Sequence, residues 1–496
     1  MAKLLVPLFV ALTLTGCAVG PDYQRPAFAL PAQYARQPGA VDPTTAGNVQ
    51  PDAGDHEFWR GFGDPQLSAL VEQALAANRD LRVALAHYDS ADALLRESKF
   101  DRYPTVTANA QGGRQRVSDD QSFGYPRSAR TYSAGIDASW ELDLFGRVRR
   151  SVEAQRADSA ASAADLAALQ VAIASETAST YVQLRGLQER LRVAQANADN
   201  QRDTLRLVDA RLAAGRGTEF DSARARALFE TTASRVPALQ AQIAVAEHRL
   251  AVLTGQAPEA LTGQLDSAKP LPTLPVRIDP GTPGELLRRR PDIAAAEQRL
   301  HAATARIGVT TADLFPRLSL SGLLGTQAFH ADALFKSGSE TNSALLGIDW
   351  SFLDVGRVRA RIAASRADAA GQLAQYQQTV LLALEDTENA LVRDARTRSE
   401  DEQLEHAARD SEQAAQLARL RYQAGEIDLY EVLDAERSLL SAQDTFADSH
   451  TRSVTAVIAL YQALAGGWPQ RMPSRDTVAL VTSTTASTAS DGNVHD

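Results

Sequence analysis

The sequence predicts an α+β membrane protein with an internal two-fold repeat. Each chain supplies four transmembrane β-strands, closed into a barrel by further copies, and long helical hairpins that project from them. Three observations predict this. The chain opens with an export signal that ends at a unique cysteine. Matching motifs recur about 210 residues apart. In each half, short alternating stretches precede an unbroken helical run.

Lys3 precedes an apolar stretch from Leu4 to Leu14, followed by the small residues Thr15 and Gly16, the layout of a secretory signal. The stretch is too short to cross a bilayer as a helix, which takes about 20 apolar residues. Cys17 is the only cysteine, so it forms no internal disulfide and no multi-cysteine metal site. The stretch Leu14-Thr15-Gly16-Cys17 resembles a bacterial lipobox. The resemblance implies a diacylglyceryl group on the Cys17 thiol, cleavage before Cys17 and acylation of the new amine. Ala18, rather than Asp, comes next, which by the same analogy directs the lipoprotein to the outer membrane. The competing reading is an ordinary cleaved signal followed by a chance cysteine.

A net charge of −10 argues against a nucleic-acid partner. Aromatics are only 6% of residues, and Ala, Leu, Arg, Gln, Glu and Asp dominate, as in long helices. No second apolar run is long enough for a transmembrane helix. If the mature chain crosses a membrane, it must do so as a closed β-barrel.

An internal repeat organises the chain. "WELDLFGRVR" from Trp140 matches "WSFLDVGRVR" from Trp350, and "RLAAG" from Arg211 matches "RYQAG" from Arg421. "DRYP" at Asp101 answers "DLFP" at Asp313, and "LTG" at Leu253 answers "LAG" at Leu464. Matches in one order at a nearly constant offset mark a duplication, with a period far too long for a solenoid unit.

Each half begins with a helix, about 78–102 or 290–314, stopped by Pro104 or Pro316. Two alternating stretches come next. "TYSAGIDASW" puts Tyr132, Ala134, Ile136, Ala138 and Trp140 on one face, and "SALLGIDWSF" does the same for Ala344, Leu346, Ile348, Trp350 and Phe352. Period two over about ten residues is a strand, and that length crosses a bilayer when tilted. A small soluble sheet with one wet face is the alternative. Trp140 and Trp350 at the ends of the apolar faces, with Tyr103 and Phe315 at the other strand ends, favour the aromatic girdles of a membrane barrel.

After Gly146 and Gly356 the text turns helical. Between Arg147 and Ala214 there is no proline, giving a helix of roughly 100 Å. The seam Leu184, Leu187, Leu191, Ala194, Ala198, Gln201, Leu205, Val208, Leu212 steps by three and four, a coiled-coil register diluted by small and polar residues. Both long helices stop at glycines suited to a left-handed cap, Gly215 and Gly425. A return helix leads back from each, and Pro237 should kink or divide the first. Four strands alone leave unpaired edges in lipid, which is not tolerated, so the chain must oligomerise. Three copies give twelve strands, enough to enclose a passage.

The mature sequence resembles the outer-membrane efflux proteins of the TolC and OprM type, in particular the NodT-like lipoprotein branch. The likeness is carried by "CAVGPDYQRP" at Cys17, "FWRGFGDPQLSALVEQALAANRDL" at Phe58 and "LLRRRPDIAAAEQRLHAATARIGVTTADLFPRLSL" at Leu286. It implies a homotrimer with a twelve-stranded transmembrane β-barrel, four strands per chain, continuous with a long periplasmic α-helical barrel. It also implies a duct in a tripartite pump, with a periplasmic adaptor protein and an inner-membrane transporter as partners. Five segments are expected. Residues 1–16 are the signal peptide and 17–77 a lipid-anchored segment. Repeat 1 spans 78–288, with a β-hairpin about 104–141 and a helical hairpin about 147–254. Repeat 2 spans 289–466, with hairpins about 316–353 and 357–465. A tail at 467–496 is expected to be disordered.

Asp221 and Glu431 stand six residues after Gly215 and Gly425, and Asp434 lies three beyond Glu431 on the same helix face. Acids in a first turn ordinarily stabilise the helix N-terminus. In a trimer Asp221, Glu431 and Asp434 would become rings of carboxylates, and the resemblance implies a periplasmic gate there, with acidic rings from Glu431 and Asp434 and with Tyr422 in the closing network. Ile427 stands where some members place a basic residue, so their tyrosine–arginine–acid lock is incomplete. Ala214-Gly215 and Ala424-Gly425 resemble the turns that adaptors engage.

No catalytic or metal motif emerges. His56, His87, His248, His301 and His406 are scattered singly, and no phosphate loop or nucleophile elbow is present. No cofactor is expected beyond the lipid on Cys17. Two other functions fit parts of the pattern: an outer-membrane duct for a type I protein secretion system, and a non-porous coiled-coil scaffold lipoprotein.

Overall fold

The computed structural model describes residues 18–35, 57–121, 127–273 and 278–465. The expected signal peptide, Cys17 and the tail beyond 466 lie outside these residues. Strands β1 (Thr105–Arg116), β2 (Ser128–Leu142), β3 (Arg317–Ala328) and β4 (Glu340–Asp349) form one antiparallel sheet in that order. The halves join at its centre, where β2 of the first pairs with β3 of the second.

The pairing sorts the side chains. Val106 opposes Ala138, Ile136 opposes Leu324, and Leu320 lies between Trp140 and Leu346. One face therefore carries Val106, Ile136, Leu320, Leu324, Leu346 and Ile348, all of them exposed. The other carries Thr107, Asn109, Ser133, Asp137, Ser319 and Ser321, with Asn109 hydrogen-bonded to Asp137. An exposed apolar face opposite a polar one is the inverse of a soluble sheet packed on a core. It matches lipid outside and water inside.

Two expectations change. Because Thr105 pairs with Ser139 and Arg317 with Asp349, Tyr103, Trp140, Phe315 and Trp350 all stand at one rim, not at two. An antiparallel hairpin necessarily brings the start of one strand beside the end of its partner. Strand β4 also ends at Asp349, so Trp350 and Phe352 lie beyond it. At that rim the two tryptophans act alike. The Trp140 indole N–H donates to the Arg102 carbonyl and that of Trp350 to the Leu314 carbonyl, both at 3.1 Å. Each fastens a strand end to the turn that leaves the preceding helix.

Those helices belong to a repeated set. Helices α1 (Pro65–Ala77), α2 (Arg79–Phe100), α3 (Arg147–Ala213), α4 (Glu219–Ala233) and α5 (Arg235–Leu253) make the first half. Helices α6 (Pro283–Arg289), α7 (Pro291–Ala312), α8 (Val355–Ala424) and α9 (Leu429–Ala463) make the second. The 67 residues of α3 and 70 of α8 make rods of about 100 Å. The break between α4 and α5 falls at Ser234, and Pro237 sits in the first turn of α5, where its missing N–H costs nothing. No such break divides α9.

The main core lies midway along the rods. Phe58, Trp59, Phe62 and α1 pack with Tyr181 and Leu184 of α3, Leu250 of α5 and Val454, Val457 and Ile458 of α9. Helices α3 and α9 touch where Gly186 faces Thr451; a Cβ there would lie 2.1 Å from the Thr451 hydroxyl. Arg185 is fully buried in this core. Its guanidinium donates to Gln66, Gln188 and the Ser267 carbonyl at 2.6–2.8 Å, so its charge is spread over strong hydrogen bonds. Among the described residues no helix is long and apolar enough to cross a membrane.

Candidate functional site

The sequence-predicted gate and docking residues gather at the free ends of the helical hairpins, far from the sheet. Both turns close alike. Gly215 (φ 71°) and Gly425 (φ 79°) take the left-handed conformation. The Arg216 and Glu426 amides reach back to the Arg211 and Arg421 carbonyls at 2.8 and 2.9 Å, the six-to-one bond of a Schellman cap. A Cβ on either glycine would meet nothing within 4 Å, so only backbone strain opposes a side chain there. Ala214 and Ala424 are exposed beside them.

The acids separate into different roles. Asp221 closes a capping box: Thr218 Oγ1 accepts from the Asp221 amide, and the Asp221 carboxylate accepts from the Thr218 amide, both at 3.2 Å. The Glu431 amide is capped by Asp428 at 3.2 Å. The Glu431 carboxylate is exposed and carries no ion pair among the described residues. Asp434 pairs with Arg437 one turn on.

Tyr422 is not hydrogen-bonded to these carboxylates among the described residues. It is 6% exposed and packs with Val208, Ala225, Leu429, Val432 and Leu433. The Arg211 guanidinium lies 4.1 Å from its ring centroid and donates to its carbonyl at 3.0 Å. Arg224 lies 4.6 Å from the ring of Tyr430. Two cation–π contacts, each worth about 0.5–1 kcal/mol when exposed, thus join the first hairpin to the second. Deeper in the bundle, Glu436 is 1% exposed. Its carboxylate accepts from Thr204 of α3 at 2.8 Å and Arg419 of α8 at 2.9 Å.

Arg211, Arg224, Tyr430 and Glu436 were missed by reasoning from the sequence. A signal existed for one: Phe220 and Tyr430 stand five residues after the two glycines, and both are exposed, at 71% and 53%.

At the other end, residues 18–35 run along the helices as a strap. The Val19 amide donates to the Phe145 carbonyl at 3.1 Å. Gly20 crosses Gly308 so closely that a Cβ on Gly20 would lie 2.5 Å from the Gly308 Cα. Arg150, nearly buried, joins Asp22 to Glu153, and Tyr23 stacks on His301 at 4.5 Å. Burial alone would raise the Glu153 carboxyl, but hydrogen bonds from His301 and Arg150 outweigh it and hold the carboxyl below its ordinary range. No group of residues fit to hold a metal occurs among the described residues.

The sequence profile described as outer membrane efflux protein matches residues 70–256 and 282–466, one match on each repeat. The chain belongs to the outer membrane efflux protein family. It is similar to the outer membrane protein OprJ of Pseudomonas aeruginosa, 34% identical over 93% of this chain and 95% of that one. It is likewise similar to nodulation protein T of Rhizobium leguminosarum bv. trifolii, 31% identical over 92% and 95%. Among solved structures, the outer-membrane channel OprN superposes with a TM-score of 0.82 at 43% identity, over 91% of this chain and all of the other.

As a member of this efflux family, the chain is an outer-membrane protein whose sheet is a third of a twelve-stranded trimeric barrel. The helical hairpins continue that barrel into the periplasm, and the tips at Gly215 and Gly425 are its periplasmic end. Members of the family are ducts rather than enzymes.

Proposed function

We propose that the chain is the exit duct of a tripartite efflux pump, passing small molecules to the exterior without catalysis of its own. An adaptor protein docks on the periplasmic tips at Ala214, Gly215, Ala424 and Gly425, and an inner-membrane transporter supplies the energy. The observation that carries the docking assignment is the pair of open Schellman turns held side by side by Arg211 and Arg224, with Phe220 and Tyr430 exposed beside them.

In this proposal Glu431 and Asp434 form the acidic mouth. Asp221 contributes by capping its helix, and Tyr422 by locking the two hairpins through Arg211. Tyr103, Trp140, Phe315 and Trp350 form the inner aromatic girdle. Cys17 carries the lipid, a role supported by the strap: Ala18 lies against Gly146, at the junction of sheet and helix.

A non-porous scaffold is disfavoured by the exposed apolar sheet face, which would have no use in water. The decisive test is uptake of a fluorescent efflux substrate in a strain lacking this gene but retaining the pump's other parts. Restored extrusion with the intact gene is the expected result. Extrusion that never depended on the gene would contradict the proposal.

A further inference from the structure

We propose that the outer rim of the barrel carries a binding site for the phosphate groups of an outer-leaflet glycolipid, built from Arg114, Arg116 and Arg130. The register of β1 and β2 runs unbroken from Thr105↔Ser139 to Arg116↔Ser128. Alternation therefore puts all three arginines on the face of Val106 and Ile136, which meets lipid. Arg114 and Arg130 are direct partners across the pair. Like charges so placed repel, and the repulsion calls for an anion from outside the chain. None is supplied by the described residues. Among them Arg114 donates only to the Ser128 hydroxyl, at 3.0 Å. The three arginines are exposed, and none has a carboxylate partner among the described residues. Asp119, in the adjoining loop, is taken up by Arg127 at 3.0 Å.

Height fits as well as charge. Ten residues of β2 separate Trp140 at the inner rim from Arg130. At about 3.4 Å per residue and a tilt of about 40°, that is roughly 26 Å along the membrane normal. The apolar band of such barrels is about 25 Å tall, so the guanidiniums stand where the outer headgroups begin. Reading outward, the face runs from Ala134 and Ala110 to the Tyr132 ring lying over Gly112, and then to Arg114 with Arg130. Guanidinium groups bind phosphate in a bidentate manner.

One competing partner exists. Glu340, at the outer end of β4, faces the same way. In the closed barrel β4 adjoins β1 of the next copy, so Glu340 could pair with the arginines across that seam.

The test uses the full-length trimer in glycolipid-free detergent and reads the temperature at which it dissociates. Bisphosphorylated lipid A should raise this temperature, whereas dephosphorylated lipid A and inorganic phosphate at equal concentration should not. The R114S/R116S/R130S variant should need at least tenfold more lipid A for half the shift. Equal protection by the dephosphorylated lipid, or by inorganic phosphate, would overturn the proposal without any variant. So would an unchanged lipid response in the triple variant. If lipid A has no effect while E340Q and the triple variant lower the lipid-free temperature equally, the arginines serve the seam instead.

Discussion

Tyr422 illustrates how far one residue's role depends on partners distant in sequence. Ile427 offers no basic group, and the guanidinium over the Tyr422 ring comes instead from Arg211 of the other hairpin, which no local pattern announces. Glu436 is similar: its partners Thr204 and Arg419 sit on two other helices. Asp221 was legible, because Thr218 and Asp221 have the spacing of a capping box. Arg419→Met strands a buried carboxylate, a change that typically costs about 3–5 kcal/mol. Thermal unfolding should show a clear loss for Arg419→Met and a smaller one for Glu436→Gln; no loss in either would mean the bridge is idle. Gly425→Val forces a left-handed valine at about 1–2 kcal/mol into otherwise open space. The trimer should therefore assemble while extrusion weakens. Full extrusion by that variant would remove the tip from the docking surface.

At the scale of elements, the long helices were legible because their apolar period persists until a glycine. The strands' existence was legible from alternation, but their ends were not: register decides which residues share a rim, and register is a property of pairs. The strap was not legible as a packed element at all. Its contacts depend on Gly308, which lies inside a helix and gives no signal in one dimension. Gly308→Val would drive a side chain into Arg150 and the Val19 carbonyl, where even a Cβ comes within 2.8 and 3.0 Å. Protease cleavage within 18–35 should then accelerate in folded trimer; unchanged cleavage would show the strap to be held elsewhere. The strap should also respond to acid. The Glu153 carboxyl is lowered in the folded chain. Its stabilising contribution is therefore complete above the ordinary glutamate value of about 4.3 and lost as pH falls through the lower folded value. Relative to the intrinsic exchange rate at each pH, hydrogen-exchange protection at residues 19–25 should fall below about pH 4 and stay flat from pH 5 to 7. A fall in protection already at pH 6 would contradict this assignment.

For the whole molecule, oligomerisation was legible from what a single chain lacks: four strands leave β1 and β4 unpaired at the sheet edges. The cargo was not legible, since a passive tube carries few specific groups. The central claim is that three copies enclose a conduit narrowed by carboxylates at its periplasmic mouth. Asp434 is partly offset by Arg437, whereas Glu431 has no such partner among the described residues; in the proposed gate, the charge that would repel at the mouth and draw cations is therefore assigned mainly to Glu431. Single-channel current across planar bilayers tests this most directly. The intact trimer should pass a small current that divalent cations on the periplasmic side reduce. Glu431→Ala should conduct more and lose most of the block, with Asp434→Ala in between. Absence of any current from reconstituted trimer, or identical current and block in all three proteins, would contradict the account.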